Sequence, residues 1–351
     1  MMVTSISRRA FIAGTSCAAG ATSLLGLSSC DESTTVADRA VLGGETMGTT
    51  YSVMLADPSS NTDPDSLRAG IEQILHGVDT RMSTYGEHSE LSRFNLSRST
   101  DWFSMSPDTL GVIEAGFRIS RLSSGVFDIT VGPVVDRWGF GPSRRRKPVS
   151  EFERAKLVEA VDYRRIEKSQ ALGAIRKLHP DAGIDLSGIA KGFAVDRVAD
   201  HLKRVGMTNF LVEVGGEFRA CGMAPRGEPW KLGIERPLTG AIAVHLVVQL
   251  TQGALATSGD YRNWFERDGQ RYSHIVDPRT GRPIATDLAS VSVISDTAMD
   301  ADALATALAV LGPEAGWSLA TREQIAALFI MRKEDGFTNR ATSEFKRHLA
   351  V

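Results

Sequence analysis

Apolar residues recur at helical spacing in two early stretches of the chain. Over residues 66–82 they fall at Leu67, Ile71, Ile74, Leu75 and Val78, one stripe of an amphipathic helix. Over residues 107–122 they fall at Leu110, Ile113, Phe117 and Leu122, with Ser106-Pro107 as cap and first turn. Two more helices are expected over residues 188–205 and about 297–311. Thr50 to Leu55 alternates like a strand, and strand-like runs follow at 210–214, 231–235, 243–250, 272–276 and 290–294. Several of these runs adjoin without a helix between them. That pattern predicts an α+β fold, a largely antiparallel sheet with helices packed on it. Neither an internal repeat nor an interior low-complexity segment interrupts it.

The first forty residues follow a different pattern. Ser7-Arg8-Arg9-Ala10-Phe11 places two arginines before an uncharged stretch from Ala10 to Ser29, the layout of an export signal, similar to a twin-arginine signal. The general secretory route is the alternative, because the twin-arginine core is short. Gly14, Thr15, Ser16, Gly20 and Thr22 dilute the apolar stretch, which argues against a permanent span. Leu27-Ser28-Ser29-Cys30 resembles a bacterial lipobox, so cleavage before Cys30 and lipidation of its thiol are expected; an ordinary signal peptide is the alternative. Residues 30–40 then form a polar tether and 41–351 the folded domain. The destination implied is the periplasmic face of a bacterial inner membrane, with the protein held by its lipid.

Composition narrows the partners. The 351 residues carry a net charge of −2, with 42 % hydrophobic and 23 % charged residues, ordinary for a globular protein. Nucleic acid is excluded as a partner, since phosphate neutralisation needs a basic face. The single basic run, Arg144-Arg145-Arg146-Lys147, lies between glycine- and proline-rich segments and reads as a solvated loop. With Cys17 in the signal and Cys30 lipidated, Cys221 is left without an intrachain partner, and a buried structural thiol is expected there.

Three polar clusters carry the candidate chemistry. The common phosphate-loop, dinucleotide, zinc-protease and serine-hydrolase signatures are absent. Asp185-Leu186-Ser187-Gly188-Ile189-Ala190-Lys191-Gly192 stands where a strand turns into a helix. Asp185 or Ser187 could cap that helix. Lys191 in the first turn faces the positive end of the helix dipole, unfavourable unless an anion binds there too. Asp302 and Thr306, four residues apart, share one helical face, and a carboxylate with a hydroxyl suits a hard cation; Asp300 and Asp302 could equally just complement the helix start. His274 is expected on the strand 272–276, before the tight turn Asp277-Pro278-Arg279-Thr280-Gly281. There it could serve as a base near neutral pH or be structural.

The order of these clusters resembles the ApbE family. The matching motifs begin with Met47-Gly48-Thr49, Met82-Ser83-Thr84-Tyr85, Ser89-Glu90-Leu91-Ser92-Arg93-Phe94-Asn95 and Phe127-Asp128-Ile129-Thr130-Val131-Gly132-Pro133. They continue through the 185–192 cluster, Val214-Gly215-Gly216-Glu217, Ala256-Thr257-Ser258-Gly259-Asp260, the 274–281 segment and Ala301-Asp302-Ala303-Leu304-Ala305-Thr306. The resemblance implies a Mg²⁺-dependent FAD:protein FMN transferase. It would join FMN through a phosphoester to a Thr or Ser hydroxyl of an acceptor flavoprotein subunit and release AMP. In the family that hydroxyl lies in an Asp-x-(Ser/Thr)-Gly-Ala-Thr-like site. The likeness assigns Mg²⁺ to the Gly188 carbonyl, Asp302 and Thr306. It assigns FAD to Met47, Tyr85, Asp185, Lys191, Ile275 and the backbone of Phe127, Asp128 and Ile129. His274 matches the residue that deprotonates the acceptor, and Lys191 joins it in catalysis by offsetting pyrophosphate charge. Hydrolysis of FAD to FMN and AMP is the runner-up, with Tyr85 favouring transfer over it. A non-catalytic flavin-binding lipoprotein is the third reading.

Overall fold

The computed structural model describes residues 39–350, apart from 57–62, 144–148, 239 and 241–242. The export signal, Cys30 and the basic run at 144–147 lie outside the described residues.

An eight-stranded sheet forms the frame. Its strands are Arg39–Thr46 (β1), Thr49–Ala56 (β2), Phe210–Val214 (β3), Glu217–Cys221 (β4), Gln252–Gly259 (β5), Leu288–Ser295 (β6), Ala326–Lys333 (β7) and Gly336–Ala341 (β8). They lie side by side in chain order, each antiparallel to its neighbours. The expected antiparallel α+β fold is what forms. Strand β1 begins at Arg39, two residues inside the expected tether. The β3–β4 hairpin turns on Gly215-Gly216, both at positive φ (63° and 103°), a conformation that favours glycine.

Two layers cover the sheet. On one face lie helices α1 (Pro64–Met82), α2 (Pro107–Leu122), α3 (Ala190–Arg204) and α4 (Ala298–Arg322), burying Ile71, Ile113, Val198 and Leu308 against Val53, Val212 and Val293. Helix α2 starts as expected, with Ser106 Oγ accepting from the Thr109 N–H and Pro107 in the first turn. On the other face, a hairpin of Trp230–Glu235 and Val244–Leu250 buries Trp230, Leu232 and Ile234 against Met54, Leu211 and Leu255. A third cluster, of Val134, Trp138, Phe140, Phe265 and Val276, closes one end.

Three expectations need correction. Helix α4 does not end near Leu311: Gly312 takes φ 80° beside Pro313, and helix resumes to Arg322. The Gly-Pro pair kinks the helix there, and Gly316 beyond it packs closely against Leu308 and Phe329. The strand expected over 272–276 splits into Gln270–Ser273 and Val276–Asp277. Ser273 Oγ accepts the Ile275 N–H (3.1 Å), a local turn that takes this N–H out of the ladder and leaves His274 on a bend, its own N–H still donating to the Asn263 carbonyl (3.1 Å). Cys221 is a free thiol, as expected among the described residues, but half-buried rather than buried.

Candidate active site

Helices α3 and α4 cross at one point, and that crossing builds the charged half of the site. A Cβ on Gly192 would stand 2.2 Å from the Ala298 carbonyl oxygen, so only glycine permits this approach. The start of α4 is fixed from two sides. Thr297 accepts from the Asp300 N–H, and the Asp196 carboxylate on α3 accepts from the Ala298 and Met299 N–H groups at 3.0 and 2.9 Å. Asp196 is itself held by an ion pair with Arg219 of β4.

This placement brings Asp302 onto the start of α3. Its Oδ2 accepts from the Gly192 N–H at 3.1 Å, so the anion that the helix start calls for is an internal carboxylate. Neither Asp185 nor Ser187 caps the helix, contrary to the capping expectation. Asp185 Oδ1 accepts from the Ser187 N–H (2.8 Å) within its own turn, and no side chain caps Ile189. Lys191 Nζ lies 2.7 Å from Glu217 Oε1 and 3.7 Å from Asp302 Oδ1. One ammonium faces two buried carboxylates. Burial pushes the Glu217 carboxyl up to about 8, against the pull of Lys191, with the Asp302 charge raising it further. Burial likewise raises Asp302 above the ordinary carboxylate range. Glu217 Oε2 is buried with no hydrogen-bond partner among the described residues.

Thr306 follows Asp302 by one turn on the same face of α4. Its hydroxyl is 3.0 Å from Ser258 Oγ of β5. A Cβ on Gly188 would sit 3.3 Å from Thr306 Oγ1 and 3.4 Å from Phe127, so the Gly188 backbone adjoins that hydroxyl. No group of three or more His, Cys, Asp or Glu side chains gathers among the described residues. The donors here are one carboxylate, one hydroxyl and a backbone segment. All are hard oxygen ligands, a donor set of the kind that suits a hard cation such as Mg²⁺.

The segment leading into Gly188 is clamped from behind. Asn95 donates from its Nδ2 to the Ile184 carbonyl and accepts the Ile184 N–H on Oδ1, both at 2.7 Å. Asp185 N–H donates to the Ile129 carbonyl (2.7 Å). Asp128 accepts from the Thr130 N–H (2.7 Å), the Thr130 hydroxyl (2.6 Å) and the Tyr163 N–H (2.9 Å), while burial raises its carboxyl above the usual range. Its carboxylate therefore braces the loop from inside.

His274 faces this cluster from the far wall. Its Nδ1 is 3.0 Å from the Asn263 carbonyl, which can only accept. The proton therefore sits on Nδ1, leaving the Nε2 lone pair free. Burial, chiefly, holds the imidazole below its ordinary pKa, with Lys191 acting the same way and the Asn263 carbonyl opposing. The ring meets Phe140 edge-on at 6.3 Å. The Phe140 carbonyl accepts the Tyr85 hydroxyl (2.7 Å), which ties Tyr85, 56 % exposed at the rim, to the same wall.

One cavity of about 580 Å³ joins these walls, a volume in the range of cofactor pockets. Met47, Tyr85, Phe127, Asp128, Asp185, Gly188, Lys191, His274, Ile275, Asp302 and Thr306 all line it. Ile129 does not: its side chain is core, 1 % exposed, and its carbonyl is taken by Asp185. Glu217, Ser258, Asp196 and Asn95 received no role from sequence reasoning. For Glu217 the available signal was an acid directly after the Gly-Gly turn, at the start of a strand.

Comparison with known proteins gives a consistent result. The ApbE family matches residues 47–329. The chain is similar to the FAD:protein FMN transferase of Vibrio cholerae, 42 % identical over 93 % of this chain and 97 % of that one. It is also similar to that of Haemophilus influenzae, 40 % identical over 92 % and 94 %. Among solved structures, flavin transferase ApbE from Vibrio cholerae superposes with a TM-score of 0.82 at 40 % identity, covering 89 % of this chain and 99 % of that chain. The apo form of Pseudomonas stutzeri flavinyl transferase ApbE gives a TM-score of 0.82 at 37 % identity, over 90 % and 98 %. With the family match spanning most of the described chain, this protein belongs to the ApbE family.

Proposed function

We propose that this flavin transferase moves FMN from FAD to a Ser or Thr hydroxyl of an acceptor protein, with Mg²⁺ held by Asp302, Thr306 and the Gly188 carbonyl. The observation that carries the reading is the shared cavity. A free imidazole Nε2 on one wall faces a lysine, two buried carboxylates and a hydroxyl on the other. His274 accepts the acceptor's hydroxyl proton. The hydroxyl oxygen then bonds to the FMN phosphorus as the pyrophosphate P–O bond to the AMP half breaks, and AMP departs with the bridging oxygen. Lys191 presents positive charge to the pyrophosphate, and Glu217 fixes where that charge sits. Bound Mg²⁺ supplies Lewis-acid stabilisation of the charge that develops. Met47, Tyr85 and Ile275, with the Phe127–Asp128 backbone, bound the space for the flavin nucleotide.

The test uses the protein with FAD and Mg²⁺, with and without a candidate acceptor. Flavin fluorescence on the acceptor polypeptide, matched mole for mole by AMP, is expected. Rapid stoichiometric AMP release without acceptor would identify an FAD pyrophosphatase instead.

We also propose export and anchoring through Cys30, on the strength of the Leu27-Ser28-Ser29-Cys30 motif behind the arginine pair. Lipidation leaves the domain at the periplasmic face of the inner membrane, beside membrane-bound acceptor subunits. Cys30→Ala is expected to move the protein from the membrane fraction to the soluble fraction. Unchanged membrane association would sink the anchor.

A further inference from the structure

The strand Trp230–Glu235 has a strand neighbour on one side only among the described residues. Its partner, Val244–Leu250, is bridged on its far side by Val248 to Leu349. The hydrogen bonds of that bridge fix which backbone groups are free. Ala350 N–H donates to the Val247 carbonyl (3.0 Å), and Gln249 N–H donates to the His348 carbonyl (2.7 Å). Val247 and Gln249 therefore turn their backbone groups out of the hairpin. In an antiparallel ladder this direction alternates along each strand and is shared by opposed residues. Val248 and its partner Leu232 thus bond each other, and the partners of Val247 and Gln249, namely Gly233 and Lys231, point their N–H and C=O groups the other way. Those groups stand on the unpaired edge.

That edge opens into the catalytic cavity. Lys231 to Glu235 line it as a consecutive run, whereas a strand seen on its face would offer alternate residues. The end of the edge is tied to the base. Glu235 pairs with Arg262, and the carbonyl of the next residue, Asn263, holds His274 Nδ1. A segment lying along the edge past Glu235 therefore runs toward the Arg262–Asn263 turn that holds His274.

We propose that the free edge at Lys231 and Gly233 receives an extended segment of the acceptor protein as an added strand, which carries its Ser or Thr hydroxyl to His274. The proposal rests on the transferase reading. Only a polypeptide with free backbone groups matches such an edge, and the hydroxyl must enter a concave cavity that a flat folded surface does not reach. Main-chain pairing supplies binding, while the alternation of side chains leaves one directed at the base.

The test has two arms. In the first, the full chain with FAD and Mg²⁺ labels a synthetic peptide of the Asp-x-Thr-Gly-Ala-Thr pattern and a series bearing one backbone N-methyl group at a time. Labelling is expected to fall about 5- to 10-fold at alternate amides, the effect of one lost hydrogen bond at each. Loss without alternation overturns the proposal. So does failure to label the peptide while the same sequence inside a folded acceptor is labelled. If neither polypeptide is labelled while free FMN accumulates, transfer itself fails and the proposal falls with it. In the second arm, Lys231→Pro is compared with Lys231→Ala, each checked by thermal melting. Proline at an outward-facing N–H leaves the hairpin ladder intact. The acceptor KM of the proline variant is expected to exceed that of the alanine variant by about 5- to 10-fold, with similar kcat. Equal KM values in two folded proteins overturn the proposal, and if the proline variant does not fold, the peptide series decides.

Discussion

The two walls of the cavity are made of different material. The wall of Lys191, Glu217, Asp302 and Thr306 comes from two long helices and the central sheet, and Asp302 is 3 % exposed. The wall of His274, Arg262 and Tyr85 comes from bends and two-stranded pieces nearer solvent. Charge on a pyrophosphate must be met by groups that do not move, which a helix crossing sealed by Gly192 provides. A protein substrate needs access, which short irregular elements beside an unpaired strand edge provide. On the proposed reading, the charge of the pyrophosphate is met on one wall and the acceptor is delivered along the other, with Tyr85 and Ile275 of that second wall also bounding the flavin.

Breaking the buried wall has the largest expected effect. Asp302→Ala removes the proposed Mg²⁺ ligand and the acceptor for the Gly192 N–H, and near-complete loss of labelling is expected. Asp302→Asn keeps an oxygen for that N–H but not the charge, so comparable loss would assign the effect to charge and not to helix capping. Full activity of Asp302→Asn would mean that the buried wall does not work through its charge. His274→Ala comes next, with a fall of about 10²–10⁴-fold, the usual contribution of a general base. Here FAD binding, followed by flavin fluorescence, should persist, since the nucleotide's charge is met on the other wall. Loss of FAD binding would dissolve the division of labour.

The same asymmetry governed what the sequence revealed. Apolar periodicity located α2 at Pro107–Leu122, because burial on one face is a local signal repeated every turn. Asp302 and Thr306 were readable as a pair because helix geometry alone puts them on one face. Their meeting with Gly188 and Lys191 was not readable from spacing and came only through the family resemblance, since it depends on the Gly192–Ala298 crossing and on Asp196, contacts more than a hundred residues apart. On the other wall, alternation over 272–276 suggested a strand through His274. The strand is interrupted at His274, where Ser273 bonds the Ile275 N–H although the His274 N–H still reaches the Asn263 carbonyl. A period-two pattern five residues long does not register such a local side-chain bond. Ile129 shows the converse: its neighbours line the cavity, while its own side chain belongs to the core.

Gly192→Ala probes the crossing without touching a candidate ligand. The added methyl meets backbone at 2.2 Å, so the two helices must part, at a cost of about 1–3 kcal/mol. A melting temperature lowered by several degrees is expected, together with weaker Mg²⁺ dependence of activity as Asp302 shifts from Gly192. A variant with unchanged melting would show that the crossing has room, and the rigid wall would lose its structural basis.

The smallest effect expected is on pH. As the proposed base, His274 must be neutral to accept a proton, and its folded pKa lies below the ordinary 6.5 because burial and the nearby Lys191 charge disfavour the imidazolium. The acid limb due to the imidazole should therefore lie below about 6.5, apart from any change near pH 8 where the Glu217 carboxyl titrates. The sign follows from the direction of the shift: a depressed pKa widens the range of the neutral form toward acid. Residual activity of His274→Ala should lack this limb, because no imidazole remains to protonate. Arg262→Ala, which frees the Asn263 segment from Glu235, loosens the carbonyl that opposes the shift, so the limb should move slightly further toward acid. A limb centred above 6.5 in the parent protein would mean that an anionic group of bound FAD outweighs burial at the imidazole. The two walls would then be electrostatically joined once the nucleotide is in place, and the separation would hold only for the empty cavity.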